Sequence, residues 1–330
     1  MSVKIYHDSD ADTSVLDGKK VAVIGYGAQG RAQARMLYES GINMVVGVRE
    51  NGNSWQQAQE DGVPVKSIKE ASEEADIIHI LLPDEVQKSI YEEQIQPYLK
   101  SGNILSFSHG FNIVFDYIKP PEGIGVIMVA PKCPGTEEYK QYRKGFGVPA
   151  LIAIEQENSE NNAKDIALAM AKAMFFTKAG VVECSFSDET YEDLFGEQAV
   201  LCGGLSALIK AGFETLTEAG YPAELAYFEC LHEAKLIVDL IYEGGLEKMW
   251  EVVSNTAEFG GHTRGSRVIT PAVKEEMKKI LKEVENGTFA KEWMTEVEQN
   301  KMKNLLEMRR KEGAHPIEIS GKNIRAMFEN

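Results

Sequence analysis

The segment Gly25-Tyr26-Gly27-Ala28-Gln29-Gly30 follows the apolar run KVAVI and opens the amphipathic stretch AQGRAQARMLYESG. A G-x-G-x-x-G between a strand and a helix binds a pyrophosphate. The first glycine permits the tight turn, the second the close approach of the phosphates, and the third the packing of helix on strand. The N–H groups at the start of the helix then face the phosphates. Gly25, Tyr26, Gly27, Ala28, Gln29 and Gly30 are therefore assigned to a dinucleotide. Such a unit exists only inside a parallel α/β sheet, and the chain up to about residue 183 agrees. NMVVGVR, DIIHILLP, NILSFSHG, IGVIMVAPK and VPALIAIE read as strands, and FFTKAGVVECSF as the last one. EVQKSIYEEQIQPYLKSG and NSENNAKDIALAMAKAM read as helices. Strands alternating with helices imply a doubly wound, mostly parallel sheet covered on both faces.

From about Ser187 the strand-like runs vanish and long helical patterns take over. The expected division is a Rossmann domain over 1–183 and an all-helical domain over 184–330. Asp188 to Ala219 and Pro222 to Tyr242 are each longer than an average helix. The second is apolar over much of its circumference, which requires burial on several sides. A helical subunit interface is the expected cover.

Each of these helices carries a carboxylate pair with i, i+4 spacing, Asp193 with Glu197 and Glu229 with Glu233. Residues so spaced share a helix face. On apolar stripes, like charges need a positive group between them. Four inward carboxylates suit one or two hard divalent cations, Mg²⁺ first among them. Two solvated acidic faces are the bland alternative.

The second strand of the fingerprint unit ends at Val48, and Arg49-Glu50-Asn51-Gly52-Asn53-Ser54 follows it. This loop is expected at the adenosine ribose. An acidic residue there accepts from the 2′-OH of NAD and repels a 2′-phosphate. Arg49 pulls the other way, and Asn53 and Ser54 are neutral hydrogen bonders. The loop leans to NADH, with NADPH use also open. At other strand ends stand His109, after NILSFS, and Lys132, after VIMVAP and between Pro131 and Pro134. Ligands of doubly wound sheets sit beyond the carboxyl ends of strands, so both are candidates to meet substrate or cofactor. His79 reads as a satisfied core histidine, His232 as structural, and His262 as part of a Gly-rich surface turn.

Formal net charge is −16, which argues against a nucleic-acid surface. No apolar run approaches the length of a membrane span, and the acidic N-terminal stretch has no signal-peptide core. The four cysteines show no Cys-x-x-Cys spacing, as expected of free thiols in a reducing cytoplasm.

Taken together, GKKVAVIGYGAQG, FSHGFNI, MVAPKCPG, DLFGEQAVLCGG, YFECLHEAKLIVDLIYEGG and AHPIEISGKNIRAMF resemble, in order and spacing, the short-chain class I ketol-acid reductoisomerases. The resemblance implies a Rossmann domain followed by a knotted helical domain interwoven in a homodimer, with higher oligomers open. It implies that Asp193 and Glu197 bind two Mg²⁺ per site, and that Glu229 and Glu233 complete the metal and substrate site from the other subunit. It makes His109, Lys132 and Glu233 catalytic, places Gly135 and His109 at the cofactor, and gives Ser254 a substrate contact. The implied reaction is a Mg²⁺-dependent alkyl shift of 2-acetolactate or 2-aceto-2-hydroxybutyrate, then reduction by NAD(P)H, in branched-chain amino acid synthesis. Arg31 stands where many members have histidine, and Glu50 and Gly52 where NADPH users carry hydroxyl residues. The competing classes are a redox-inactive dinucleotide-binding protein and a metal-independent hydroxyacid dehydrogenase.

Overall fold

The computed structural model describes residues 3–327, in two compact units, Met1–Thr190 and Tyr191–Asn330. The first is built on a nine-stranded sheet. Its strands are β1 (Ile5–Tyr6), β2 (Val21–Ile24), β3 (Met44–Gly47), β4 (Val65–Lys66), β5 (Ile77–Ile80), β6 (Ile104–Phe107), β7 (Gly125–Pro131), β8 (Ala150–Gln156) and β9 (Val181–Glu183). Their order is β1-β9-β8-β7-β6-β5-β2-β3-β4. All neighbours are parallel except β1 with β9 and β7 with β8. The sheet is thus the mostly parallel, doubly wound one expected.

Near-continuous apolar strands are what a sheet buried on both faces requires. Alternate residues feed two layers. Val21, Val23, Ile77, Ile104 and Val129 enter one, while Ala22, Ile24, Ile78, Ile80, Leu105 and Phe107 enter the other. Each large aliphatic side chain so buried contributes about 1.5–3 kcal/mol. The chain leaves β2 outward through β3 and β4, then crosses back to β5. The reversal opens a crevice at the carboxyl ends of β2 and β5, where ligands of such sheets lie.

Local departures have local causes. The stretch expected as one helix from Glu85 is Asp84–Ile90, a π-helical turn at Tyr91–Ile95 and a 3-10 turn at Gln96–Tyr98. Pro97 lacks the N–H that would continue the helix. The last expected strand begins late. Phe175 takes a left-handed conformation (φ 66°), Phe176–Ala179 form a helical turn, and only Val181–Glu183 are extended. The edge strands β1 and β4 are two-residue pairings too short to leave a periodic signature.

The second unit is helical throughout its described residues. Phe213, Ala226, Tyr227, Ile317 and Ile324 form one of its buried clusters among the described residues. Glu233–Val252 instead leaves Leu236, Val238, Tyr242 and Leu246 exposed, Tyr242 by 90%. The apolar circumference read from the sequence is therefore not covered within one chain. One correction follows. The continuous helical stretch Phe186–Glu218 is long and apolar enough to cross a membrane by length and composition. It holds the Asp193 and Glu197 carboxylates and a π-helical turn at Glu197–Leu201.

Candidate active site

The glycine turn can be tested atom by atom. Gly25 has φ +105°, and a Cβ there would lie 2.6 Å from the Leu81 carbonyl oxygen. A Cβ on Gly30 would lie 2.4 Å from the Gly25 carbonyl oxygen, so helix α1 (Ala28–Glu39) can seat on the turn only without one. Gly27 has open space around its missing Cβ and starts α1 with no side-chain cap. The first and third glycines are thus closed by packing and the second faces outward, the arrangement a pyrophosphate needs. Gly135 belongs to the same place, since its Cβ would fall 2.4 Å from the Ala28 carbonyl oxygen. Gln29 donates to the Cys133 carbonyl oxygen and accepts from Gln33, tying that segment to the turn.

Beneath α1 runs a buried polar line. His79 bonds Ser106 through Nδ1 and Gln33 through Nε2. Burial lowers its pKa to about 4, so it is neutral, the satisfied core histidine the sequence suggests.

In the loop after β3, Glu50 and Asn51 are exposed, Asn51 is left-handed (φ 57°), and Gly52 precedes helix α2 (Asn53–Glu60). A Cβ on Gly52 would approach the Arg49 carbonyl oxygen to 3.3 Å. Glycine at this position keeps the turn tight between Arg49 and α2.

His109 and Lys132 follow the ends of β6 and β7, adjacent parallel strands with Phe107 opposite Met128. Register alone brings the two side chains to one edge of the sheet. A residue not singled out in the sequence joins them. Glu189 Oε2 accepts from His109 Nδ1 at 3.1 Å and from the Gly110 N–H at 3.3 Å, and Oε1 accepts from Lys132 Nζ at 3.1 Å. Its side chain is 2% exposed. Burial acts to raise its pKa. The His109 hydrogen bond and the charges of His109 and Lys132 outweigh that and hold it below the usual carboxylate range. An ionised carboxylate only accepts, so His109 donates to it from Nδ1. Gly110 admits the helix closely, since a Cβ there would lie 2.2 Å from Thr190 Oγ1. The signal for Glu189 was present: it stands four residues before Asp193, on the helix Phe186–Gly196.

Both candidate metal pairs sit at π-helical turns. Asp193 lies in the last α-helical turn and Glu197 begins the π turn Glu197–Leu201. Glu229 lies in the π turn Phe228–His232, and Glu233 starts the next helix. The i, i+4 spacing alone predicts plain α turns at both. A π turn adds one residue and re-aims the side chains around it, and such turns are frequent at functional sites. Asp193 is half-buried, while Glu197, Glu229 and Glu233 are exposed in the single chain. Their oxygens are the hard ligands that Mg²⁺ takes.

One further residue differs from expectation. His262 is in the helix Asn255–Val268 rather than a surface turn, its ring 4.4 Å from that of Trp250. The neighbouring glycine serves packing, since a Cβ on Gly261 would meet Trp250 at 2.6 Å. Ser254 caps that helix, accepting from the Ala257 N–H at 3.2 Å.

A glycine turn closed by packing, opening at the reversal of a parallel sheet and followed by a helical unit, defines a Rossmann-type nicotinamide dinucleotide-binding oxidoreductase. Residues 15–180 match the family model described as acetohydroxy acid isomeroreductase, NADPH-binding domain, and residues 186–330 that described as ketol-acid reductoisomerase, C-terminal domain. The chain belongs to the ketol-acid reductoisomerase family. It is 58% identical over 323 residues to the ketol-acid reductoisomerase (NADP(+)) of Methanosphaera stadtmanae, covering 98% of this chain and 97% of that one. It is 57% identical to the ketol-acid reductoisomerase (NAD(+)) of uncultured archaeon GZfos26G2, covering 99% of both. A solved structure of an NADH-preferring ketol-acid reductoisomerase from an uncultured archean superposes with TM-score 0.95 at 56% identity, covering 99% of this chain and all of that one.

Proposed function

We propose that this chain is a Mg²⁺-dependent ketol-acid reductoisomerase that prefers NADH, accepts NADPH, and acts on 2-acetolactate and its 2-aceto-2-hydroxybutyrate homologue. The observation that carries the reading is Glu189, whose buried carboxylate joins His109 and Lys132 at the ends of β6 and β7. Asp193 and Glu197 continue from it at four-residue intervals.

Asp193 and Glu197 would hold the divalent ions, completed by the partner subunit's Glu229 and Glu233. When bound, the ions supply Lewis-acid polarisation of adjacent substrate oxygens, and the dihydronicotinamide supplies hydride. Lys132, fixed by Glu189, donates a hydrogen bond from Nζ to a substrate oxygen as negative charge grows there. His109, oriented by Glu189, relays a proton between substrate and water. Ser254 stands at a helix start, where its hydroxyl can also reach a substrate carboxylate.

The dimer is supported by the exposed Leu236, Val238, Tyr242 and Leu246, an apolar surface that monomers rarely leave open. A second copy, not lipid, is its cover. Four free thiols favour a reducing cytoplasm. NADH preference is supported by Glu50, whose carboxylate favours a 2′-OH over a 2′-phosphate.

The deciding experiment is turnover of 2-acetolactate with NADH and with NADPH, each with Mg²⁺ and with EDTA. Activity with both cofactors, larger kcat/KM with NADH and loss in EDTA are expected. Turnover that survives EDTA and dialysis would exclude the metal assignment.

A further inference from the structure

Asp61 is the residue just past α2, and three donors converge on its carboxylate. Tyr26 Oη donates to Oδ2 at 2.9 Å, Arg31 Nε to Oδ2 at 2.6 Å, and Arg31 Nη2 to Oδ1 at 2.8 Å. Tyr26 lies within the glycine turn and Arg31 in the first turn of α1. The Asp61 side chain is 9% exposed. The Arg31 fork holds it below the usual carboxylate range, burial opposes, and the Tyr26 hydroxyl adds to the fork. Bidentate guanidinium–carboxylate pairs fix orientation as well as contributing energy.

The three residues act on what lies at the other end of α2. That helix has eight residues and its N-terminus, at Gly52, has no side-chain cap. Helices so short do not hold themselves. This one is held by Trp55 and Ala58 packing into the cluster that contains Tyr26 and Val48, and at its C-terminal end by Asp61. Its N-terminal end, Asn53 and Ser54, continues directly from the loop residues Arg49 to Gly52.

We propose that Asp61, gripped by Tyr26 and Arg31, is a positioning residue that locks α2 to the glycine turn and thereby sets the place of Glu50 against the dinucleotide. The tie spans the two elements that a dinucleotide must touch together, the turn for its pyrophosphate and the loop for its ribose. Arg31 is consequently engaged by protein, and its Nε and Nη2 are not offered to a phosphate. The inference rests on the reading of the Arg49–Ser54 loop as the ribose site.

The test measures KM and kcat for NADH and NADPH at saturating Mg²⁺ and 2-acetolactate in Asp61→Asn, Arg31→Lys, Tyr26→Phe and Glu50→Ser. Asp61→Asn should raise the NADH KM on the order of tenfold, the loss of a charge-assisted pair, with kcat within about twofold. Its NADH-to-NADPH ratio should narrow, because Glu50 is no longer held in place. Arg31→Lys keeps the charge but loses the fork and should shift KM in the same direction. Tyr26→Phe should do so more weakly. Unchanged KM and ratio in folded Asp61→Asn or Arg31→Lys protein would overturn the proposal, as would parallel losses in kcat and KM. The two readings separate cleanly. If Glu50→Ser moves the ratio and Asp61→Asn does not, the ribose loop stands and the tie falls. If Asp61→Asn raises KM and Glu50→Ser changes nothing, the ribose reading falls and takes with it the proposal that the tie acts by placing Glu50.

Discussion

Glu189 Oε1 accepts a hydrogen bond from Lys132 Nζ at 3.1 Å across 57 residues of sequence. Both oxygens of this buried carboxylate are committed to groups at the ends of β6 and β7, so it fixes the donor geometry without meeting solvent. Replacing it with glutamine keeps the size and removes the charge that holds His109 and Lys132. Glu189→Gln should lower kcat by about a hundredfold or more, a typical loss for a misplaced proton-transfer or donor group. NADH affinity, measured by fluorescence titration, should change little. A variant with near-normal kcat would remove Glu189 from the reaction.

The two carboxylate pairs give a second expectation. Asp193→Asn and Glu229→Gln should each abolish turnover while the dinucleotide still binds, since neither residue is in the glycine turn. If the partner subunit's Glu229 completes each site, mixing the two inactive variants under exchange restores part of the activity. Each mixed dimer then carries one intact composite site. Verified exchange with no recovered activity would rule out sharing between subunits.

Much of this arrangement is visible in the residues alone, and the exceptions share a cause. The glycine turn and the strand ends at His109 and Lys132 follow from local pattern. A strand, its turn and the next helix are contiguous in sequence. The spacing of Glu189 four residues before Asp193 is legible, but its role escapes such a reading because its partners are 57 and 80 residues away. The Tyr26–Asp61–Arg31 tie escapes it likewise. The π turns at Glu197 and Glu229 escape it because one extra residue in a helical turn barely alters an apolar pattern. His262 is helical although the glycine beside it reads as a loop, because Gly261 admits the Trp250 ring.

A third expectation concerns stability and pH. Glu138 is 1% exposed and neither of its oxygens has a close hydrogen-bond partner. Burial pushes its pKa from 4.5 up to about 8, and the Gln29 side chain offsets this only in part. Below 4.5 the carboxyl is protonated in folded and unfolded chains alike. Between 4.5 and about 8 the unfolded chain ionises while the folded one keeps its proton, so stability falls as pH rises through this window. The loss can reach several kcal/mol, a large share of a domain's margin. Glu138→Gln should therefore raise Tm more at pH 8 than at pH 5. Equal shifts at the two pH values would show that the carboxyl does not titrate there.

The last expectation is the cofactor preference. Glu50 is exposed in the loop before α2, where, on the proposed reading, its carboxylate would gain a hydrogen bond from a ribose 2′-OH and repel a dianionic 2′-phosphate. At a surface dielectric each such like-charge contact costs on the order of a kcal/mol or more, enough for about a fivefold discrimination. Arg49 beside it offsets part of the repulsion, so preference is expected and not exclusion. Glu50→Ser should raise kcat/KM with NADPH and leave the NADH value unchanged or lower. Salt adds a second check, because the repulsion is screened. Raising ionic strength should narrow the NADH-to-NADPH ratio in the wild type and alter it less in Glu50→Ser. A wild type that strongly prefers NADPH, or a variant with the wild-type ratio at every salt concentration, would defeat the assignment of Glu50 and leave the family membership untouched.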